Sequence, residues 1–154
     1  MEKTYSIMQK TTSNNPDFIQ LYADLDLYLW NKYPDENQDY WQNNIIEFNP
    51  NVLLYYIDEK AVACGCFKKY DEHTAEIKRM FVRTEARGKG VAMQILNKLE
   101  LWAKSQNFKY LILETLHKQA EAIQLYQKAG FEIIENYEPY IGNPLSVCMK
   151  KVIV

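Results

Sequence analysis

The sequence predicts one mixed α/β (α+β) domain over residues 1–154, with a mostly antiparallel central sheet flanked by helices. Three observations carry that expectation. Apolar residues recur at three-to-four spacing early in the chain and again in its middle, as in helices that bury one face. Between those stretches, three β-rich segments follow one another across short polar turns and read as an antiparallel meander. Strand and helix patterns then alternate to the end, so both kinds of element share one core. At 154 residues the chain can bury such a core without staples, and two independent domains would be cramped.

In order, "TYSIMQKT" opens as a short strand. In "SNNPDFIQLYADLDLYLW", Asn15 suits an N-cap, Pro16 the first helical position and Asp17 the first turn, while Phe18, Leu21, Tyr22, Leu25 and Leu29 keep helical spacing. "YPDENQD" interrupts the pattern, and a second, shorter helix is expected around Trp41 to Phe48, ended by Asn49-Pro50-Asn51. The meander follows: "VLLYYID", a tight connection at Asp58-Glu59-Lys60, "AVACGCFKKY", a polar turn at Asp71-Glu72, and "HTAEIKRMFV". An apolar stripe through Val91, Ala92, Ile95, Leu96, Leu99, Trp102 and Ala103 marks a helix from about Lys89 to Ser105, and "FKYLILET" reads as a buried strand. A helix from about Gln119 to Ala129 has Ala122, Leu125, Tyr126 and Ala129 on one face and Gly130 as its stop. "FEIIENY" and "LSVCMKKVIV" close the chain as two strands around the loop "YEPYIGNP".

A formal charge of −2 gives bulk electrostatics no reason to favour nucleic acid or an acidic membrane, so any polyanion site must be local. Three cysteines, Cys64, Cys66 and Cys148, make an odd count without framework spacing or the four ligands of a structural zinc site, and no metal is expected. The first residues lack the apolar core of a signal peptide, and no apolar run approaches the roughly 18 residues of a membrane span. A soluble, cytoplasmic protein is the expectation. Twelve tyrosines lift the aromatic share to 14%; most are expected to pack half-buried with the hydroxyl reaching water, which leaves a few to line a pocket.

The segment "FVRTEARGKGVA" leads from the last meander strand into the amphipathic helix. The first NH groups of a helix lack intrahelical partners and carry partial positive charge, which suits an anion. Gly88 and Gly90 let backbone approach it closely, and Arg87 and Lys89 add charge, so a phosphate or pyrophosphate would fit. A solvated turn would use the same residues. Nucleotide motifs of the G-x-x-x-x-G-K-[ST] and G-x-G-x-x-G kinds are missing, which disfavours ATP hydrolysis and nicotinamide binding.

In that setting the sequence resembles the GNAT superfamily of acyl-CoA N-acyltransferases. Arg87, Gly90 and Ala92 meet its cofactor pattern [QR]-x-x-G-x-[GA], between the strand "EIKRMFV" and a long helix. "AIQLYQKAGF" resembles the family's late helix and the turn after it, while Gln119 stands where many members carry asparagine. The resemblance implies a sheet splayed between its fourth and fifth strands with acetyl-CoA in the gap. The pyrophosphate would meet backbone NH groups of Arg87, Gly88, Lys89, Gly90, Val91 and Ala92, and the pantetheine arm would bond to the main chain of Met80, Phe81 and Val82. It also implies transfer to a primary amine of a small molecule or amino-acid-like metabolite. A protein lysine or N-terminal acetyltransferase and a non-catalytic CoA-binding regulator are the alternatives, and a homodimer is left open.

Acetyl transfer needs a neutral amine, a group that accepts its proton and a group that protonates the departing thiolate. Tyr126 matches the family tyrosine that serves the sulfur, and a phenol is a donor at neutral pH; otherwise it is a core tyrosine. Glu76, six residues before Val82, resembles strand glutamates that act as general base, with a solvated carboxylate as the plainer reading. Glu114, His117 or a water relay are other candidates, and His73 is weaker. Lys78 and Arg79 are expected on opposite strand faces, where one could meet an anionic substrate and both could be ordinary salt-bridge partners. Tyr137, Tyr140, Gly142 and Asn143 form a loop that could line the acceptor pocket, although turn chemistry selects such residues too.

Overall fold

The computed structural model describes residues 4–33 and 47–154. Among them seven strands form one mixed sheet in the order β1-β2-β3-β4-β5-β7-β6, with three helices packed on it. The strands are β1 (Ser6–Thr11), β2 (Val52–Ile57), β3 (Lys60–Lys69), β4 (Thr74–Val82), β5 (Tyr110–Leu116), β6 (Glu132–Ile134) and β7 (Ser146–Val152). The helices are α1 (Pro16–Lys32), α2 (Val91–Ser105) and α3 (Ala120–Lys128). The short helix expected around Trp41 to Phe48 lies, up to residue 46, outside the described residues; 47 and 48 are not helical.

Local chemistry explains the boundaries. The Asn15 side chain accepts from the Asp17 NH at 2.8 Å, so α1 starts at Pro16 as its cap predicts. Asp58 and Glu59 take positive φ, the conformation a two-residue hairpin demands between β2 and β3. Gly130, at φ +100, ends α3 by letting the Phe131 NH return to the Tyr126 carbonyl at 2.9 Å.

The sheet is covered on both faces, which is why β2 reads as the unbroken apolar run "VLLYYI" and not as an alternation. Leu53 and Tyr55 join Phe67, Ile77, Ile95, Leu96 and Leu99 under α2. Val52 and Leu54 join Phe18, Leu21, Leu25 and Leu29 under α1. At Gly65 β3 comes close to α2: a Cβ there would lie 2.6 Å from the Met80 sulfur and 2.9 Å from Ile95.

The meander β2 to β4 is antiparallel, as expected, and β1 pairs antiparallel with β2 as well, whereas β4 and β5 are parallel. Their pairing stops early. Thr74, Ala75 and Glu76 pair with Tyr110, Leu111 and Ile112, and beyond them the two strands diverge. This is the splay expected between the fourth and fifth strands. β7 pairs with the whole of β5 on its other side, so the second half of the sheet stays intact while the middle opens.

One expectation fails on β4. Lys78 and Arg79 do not take opposite faces, because a bulge interrupts the strand there. The register against β3 shifts between Cys64 and Cys66, and Arg79 has φ +56. Ile77 packs under α2, yet Phe81, four residues later, packs under α1; strict alternation would keep both on one side. The inserted residue turns Lys78 and Arg79 toward the same cleft.

Candidate active site

The cleft opens where β4 leaves β5. Its volume is about 110 Å3. Strand β4 contributes residues Glu76 to Met80, and β5 contributes Leu113, Glu114 and Thr115. Leu25 and Leu29 of α1 wall one side, and Ala122 and Tyr126 of α3, with its cap residue Gln119, wall another. Tyr140, from the loop before β7, closes it.

Glu76 is 3% exposed. The Tyr137 hydroxyl donates to its Oε2 at 2.7 Å, and Lys68 Nζ stands 3.9 Å from Oε1. A buried carboxylate needs such partners to be tolerated. Burial first, and then the Glu76 charge, push the Tyr137 phenol far above its usual value, so it remains a donor. Glu114 accepts from Ser146 Oγ at 2.6 Å.

Tyr126 is 8% exposed, with its ring edge-on to Phe131 at 6.0 Å between centroids. Its hydroxyl has no hydrogen-bond partner among the described residues. Burial, followed by the nearby Glu114 carboxylate, raises its pKa well above the ordinary phenol value. The result is a neutral O–H at the cleft that no described residue accepts from.

On the same wall, Lys78 Nζ donates to Tyr140 Oη at 3.1 Å. Arg79 pairs with Asp26 of α1 and stacks over Tyr22, 5.7 Å from the ring centroid. The bulge that brings these cations together has its own support. The Cys66 thiol donates to the Lys78 carbonyl and the Cys64 thiol to the Arg79 carbonyl, both at 3.2 Å. Burial pushes the Cys66 thiol up to about 12 and Cys64 higher still, which keeps both protonated and able to donate. The three cysteines are free and buried.

Farther along β4 lies the glycine turn. A short 3-10 turn, Thr84–Ala86, leads to Gly88 at φ +75 and Gly90 at φ +76. Gly90 caps α2, so the helix begins at Val91, two residues after the expected start at Lys89. The left-handed glycines lie outside it. No side chain caps this helix end, and a Cβ at Gly88 or Gly90 would meet no atom within 4 Å. Open space thus lies beside Gly88 and Gly90, at a helix start whose first NH groups lack intrahelical partners. Arg87 is committed elsewhere: its Nε donates to the Val82 carbonyl at 3.0 Å, and its guanidinium lies over Tyr28.

The fold thus brings Glu76, Met80, Gln119 and Tyr126 to one cleft, together with Glu114. Phe81 turns its side chain under α1, leaving its main chain alone for the opening. Gln119 Oε1 accepts from Thr115 Oγ1 at 2.7 Å, and its amide nitrogen has no partner among the described residues. His117 and His73 are exposed and do not line the cleft. In the loop before β7, Tyr140 lines the cleft and Tyr137 reaches Glu76, whereas Asn143 only organises the turn through the Leu145 NH. Leu25 and Leu29 were unmarked by sequence reasoning, since their spacing signals a buried helix face and nothing more.

Residues 10–131 match the model of the acetyltransferase (GNAT) family, and the chain belongs to that family. An IAA acetyltransferase from Azospirillum brasilense is 34% identical over 140 residues, covering 86% of this chain and 88% of that protein. N-alpha-acetyltransferase 50 of Danio rerio is 28% identical over 114 residues, 70% of this chain and 67% of the relative. The crystal structure of a putative acyl-CoA N-acyltransferase from Klebsiella pneumoniae superposes with a TM-score of 0.81 at 28% identity, over 97% of this chain and 98% of that one. The family uses acetyl-CoA. No described helix is long and apolar enough to cross a membrane.

Proposed function

We propose that this chain moves an acetyl group from acetyl-CoA directly to a primary amine of a small molecule or amino-acid-like metabolite in the cytoplasm. The observation that carries the proposal is the meeting of a buried carboxylate, Glu76, and a buried phenol, Tyr126, whose hydroxyl has no partner among the described residues, in one cleft at the opening of the sheet. Bound acetyl-CoA supplies the thioester carbonyl that the amine attacks and the thiolate that leaves.

The protein's part is to hold and to move protons. Backbone NH groups of Gly88, Lys89, Gly90, Val91 and Ala92 hold the pyrophosphate, since the open, uncapped helix start fits an anion, while the Arg87 NH is already spent on the Thr84 carbonyl at 3.2 Å. Arg87 is tied to Val82 and Tyr28, so the grip comes from backbone more than from its side chain. Beyond Glu76 the β4 edge facing β5 lacks a strand partner, and main-chain groups of Met80, Phe81 and Val82 receive the pantetheine arm there. The amide nitrogen of Gln119 adds a donor at the mouth of α3. Glu76 takes the proton from the amine, directly or through a water, and Tyr126 gives its proton to the sulfur as the C–S bond breaks.

The test is acetyl-CoA titration by calorimetry on the wild type and Gly90→Glu, with thermal melts to establish folding. We expect one saturable site, lost in the variant because a left-handed glycine is replaced and an anion is added to the cradle. A folded wild type that binds no acetyl-CoA would sink the proposal. A relative named N-alpha-acetyltransferase 50 keeps peptide N-termini as a second reading. Acetylation of peptides but not of free amines would select it.

A further inference from the structure

We propose that the acceptor amine also carries a carboxylate, and that Lys78, backed by Tyr140, holds that carboxylate in the cleft while Glu76 faces the amine. This deepens the acetyl-transfer reading and rests on it. The argument begins with unequal pairing. The described carboxylates at the cleft have partners: Glu76 has Tyr137 and Lys68, and Glu114 has Ser146; beside the cleft, Asp26 has Arg79. Lys78 pairs with no carboxylate among the described residues, and its one hydrogen bond goes to a neutral hydroxyl.

An ammonium has three donors, so two remain for something else in the cleft. Burial depresses the Lys78 pKa, with Glu76 and Glu114 offsetting part of the effect from a distance. A half-buried cation without a counter-charge costs stability unless a ligand supplies one. The bulge strengthens the case, because it turns Lys78 and Arg79 to one wall where a regular strand would separate them. Glu76 and Lys78 stand two residues apart on a strand, a separation of about 6.6 Å along the chain. One small molecule bearing an amine and a carboxylate can span that distance.

Matched pairs test the proposal: phenylalanine beside phenethylamine, leucine beside isoamylamine, and β-alanine beside ethylamine. Each would be assayed for acetylation and, separately, for binding to the CoA-loaded protein by calorimetry. We expect the acid to be preferred in at least one pair. In Lys78→Met that preference should fall by about tenfold or more, chiefly through KM, with partial recovery in Lys78→Arg. Amines acetylated with no preference for the acid would overturn the carboxylate site and leave acetyl transfer standing. No acetylation of any amine would sink the transfer reading, and the binding preference would still decide the site. Equal losses on both members of every pair would mean that Lys78 only props Tyr140, which also overturns it.

Discussion

Tyr126 joins two properties that a donor to a leaving thiolate requires: a proton retained at neutral pH, and a hydroxyl that no described residue takes up. Burial supplies the first and the cleft supplies the second. Tyr126→Phe is therefore expected to lower turnover by about 10²-fold or more while keeping acetyl-CoA affinity, as read by steady-state kinetics beside calorimetry. Unchanged turnover would assign the acid elsewhere. The tyrosine was legible from its place in "LYQKAGF". The Tyr137–Glu76 hydrogen bond, 61 residues apart in sequence, was not, because nothing local to either residue specifies the other.

At the scale of elements, the bulge in β4 is the feature that alternation misjudged. A non-glycine residue at positive φ costs roughly 1–2 kcal/mol, and packing from both faces must offset it. Two thiols bond the bulge carbonyls from the α1 side, while Met80 fills the space over Gly65 on the other. Gly65→Val would drive a side chain into Met80, Ile95 and Leu99. We expect a loss of about 1–3 kcal/mol in denaturant unfolding. A stability equal to wild type would mean that β3 and α2 are not packed as closely as described.

For the whole molecule, buried phenols and thiols set the response to alkali. Tyr126, Tyr137 and Tyr140 all have raised pKa values from burial, and so do Cys64, Cys66 and Cys148, the last reaching about 11. A group with a raised folded pKa contributes stability that is fully present below its unfolded pKa and is lost as pH climbs toward the folded value. Unfolded thiols lose protons from 9.0 and unfolded phenols from 10.0, while the folded chain retains them. Unfolding free energy should thus be level near pH 8 and fall above pH 9, by about 1.4 kcal/mol per pH unit for each retained proton. Denaturant titrations from pH 8 to 11 would measure the slope, and a flat profile would contradict the burial of these groups.

Local physics was enough for much of this protein. The Asn15 cap, the hairpin at Asp58 and Glu59, the stripe of α2 and the stop at Gly130 each depend on neighbours in sequence, so they are legible there. The glycine turn was legible too, as a pattern that resembles a family, although its left-handed backbone moved the helix start to Val91. Only the tertiary structure decided where β4 and β5 part, that Lys78 and Arg79 share one wall, and which tyrosine meets Glu76. Those outcomes come from contacts between distant segments, where the packing of α1 and α2 against opposite faces of the sheet overrides the strict alternation of a single strand.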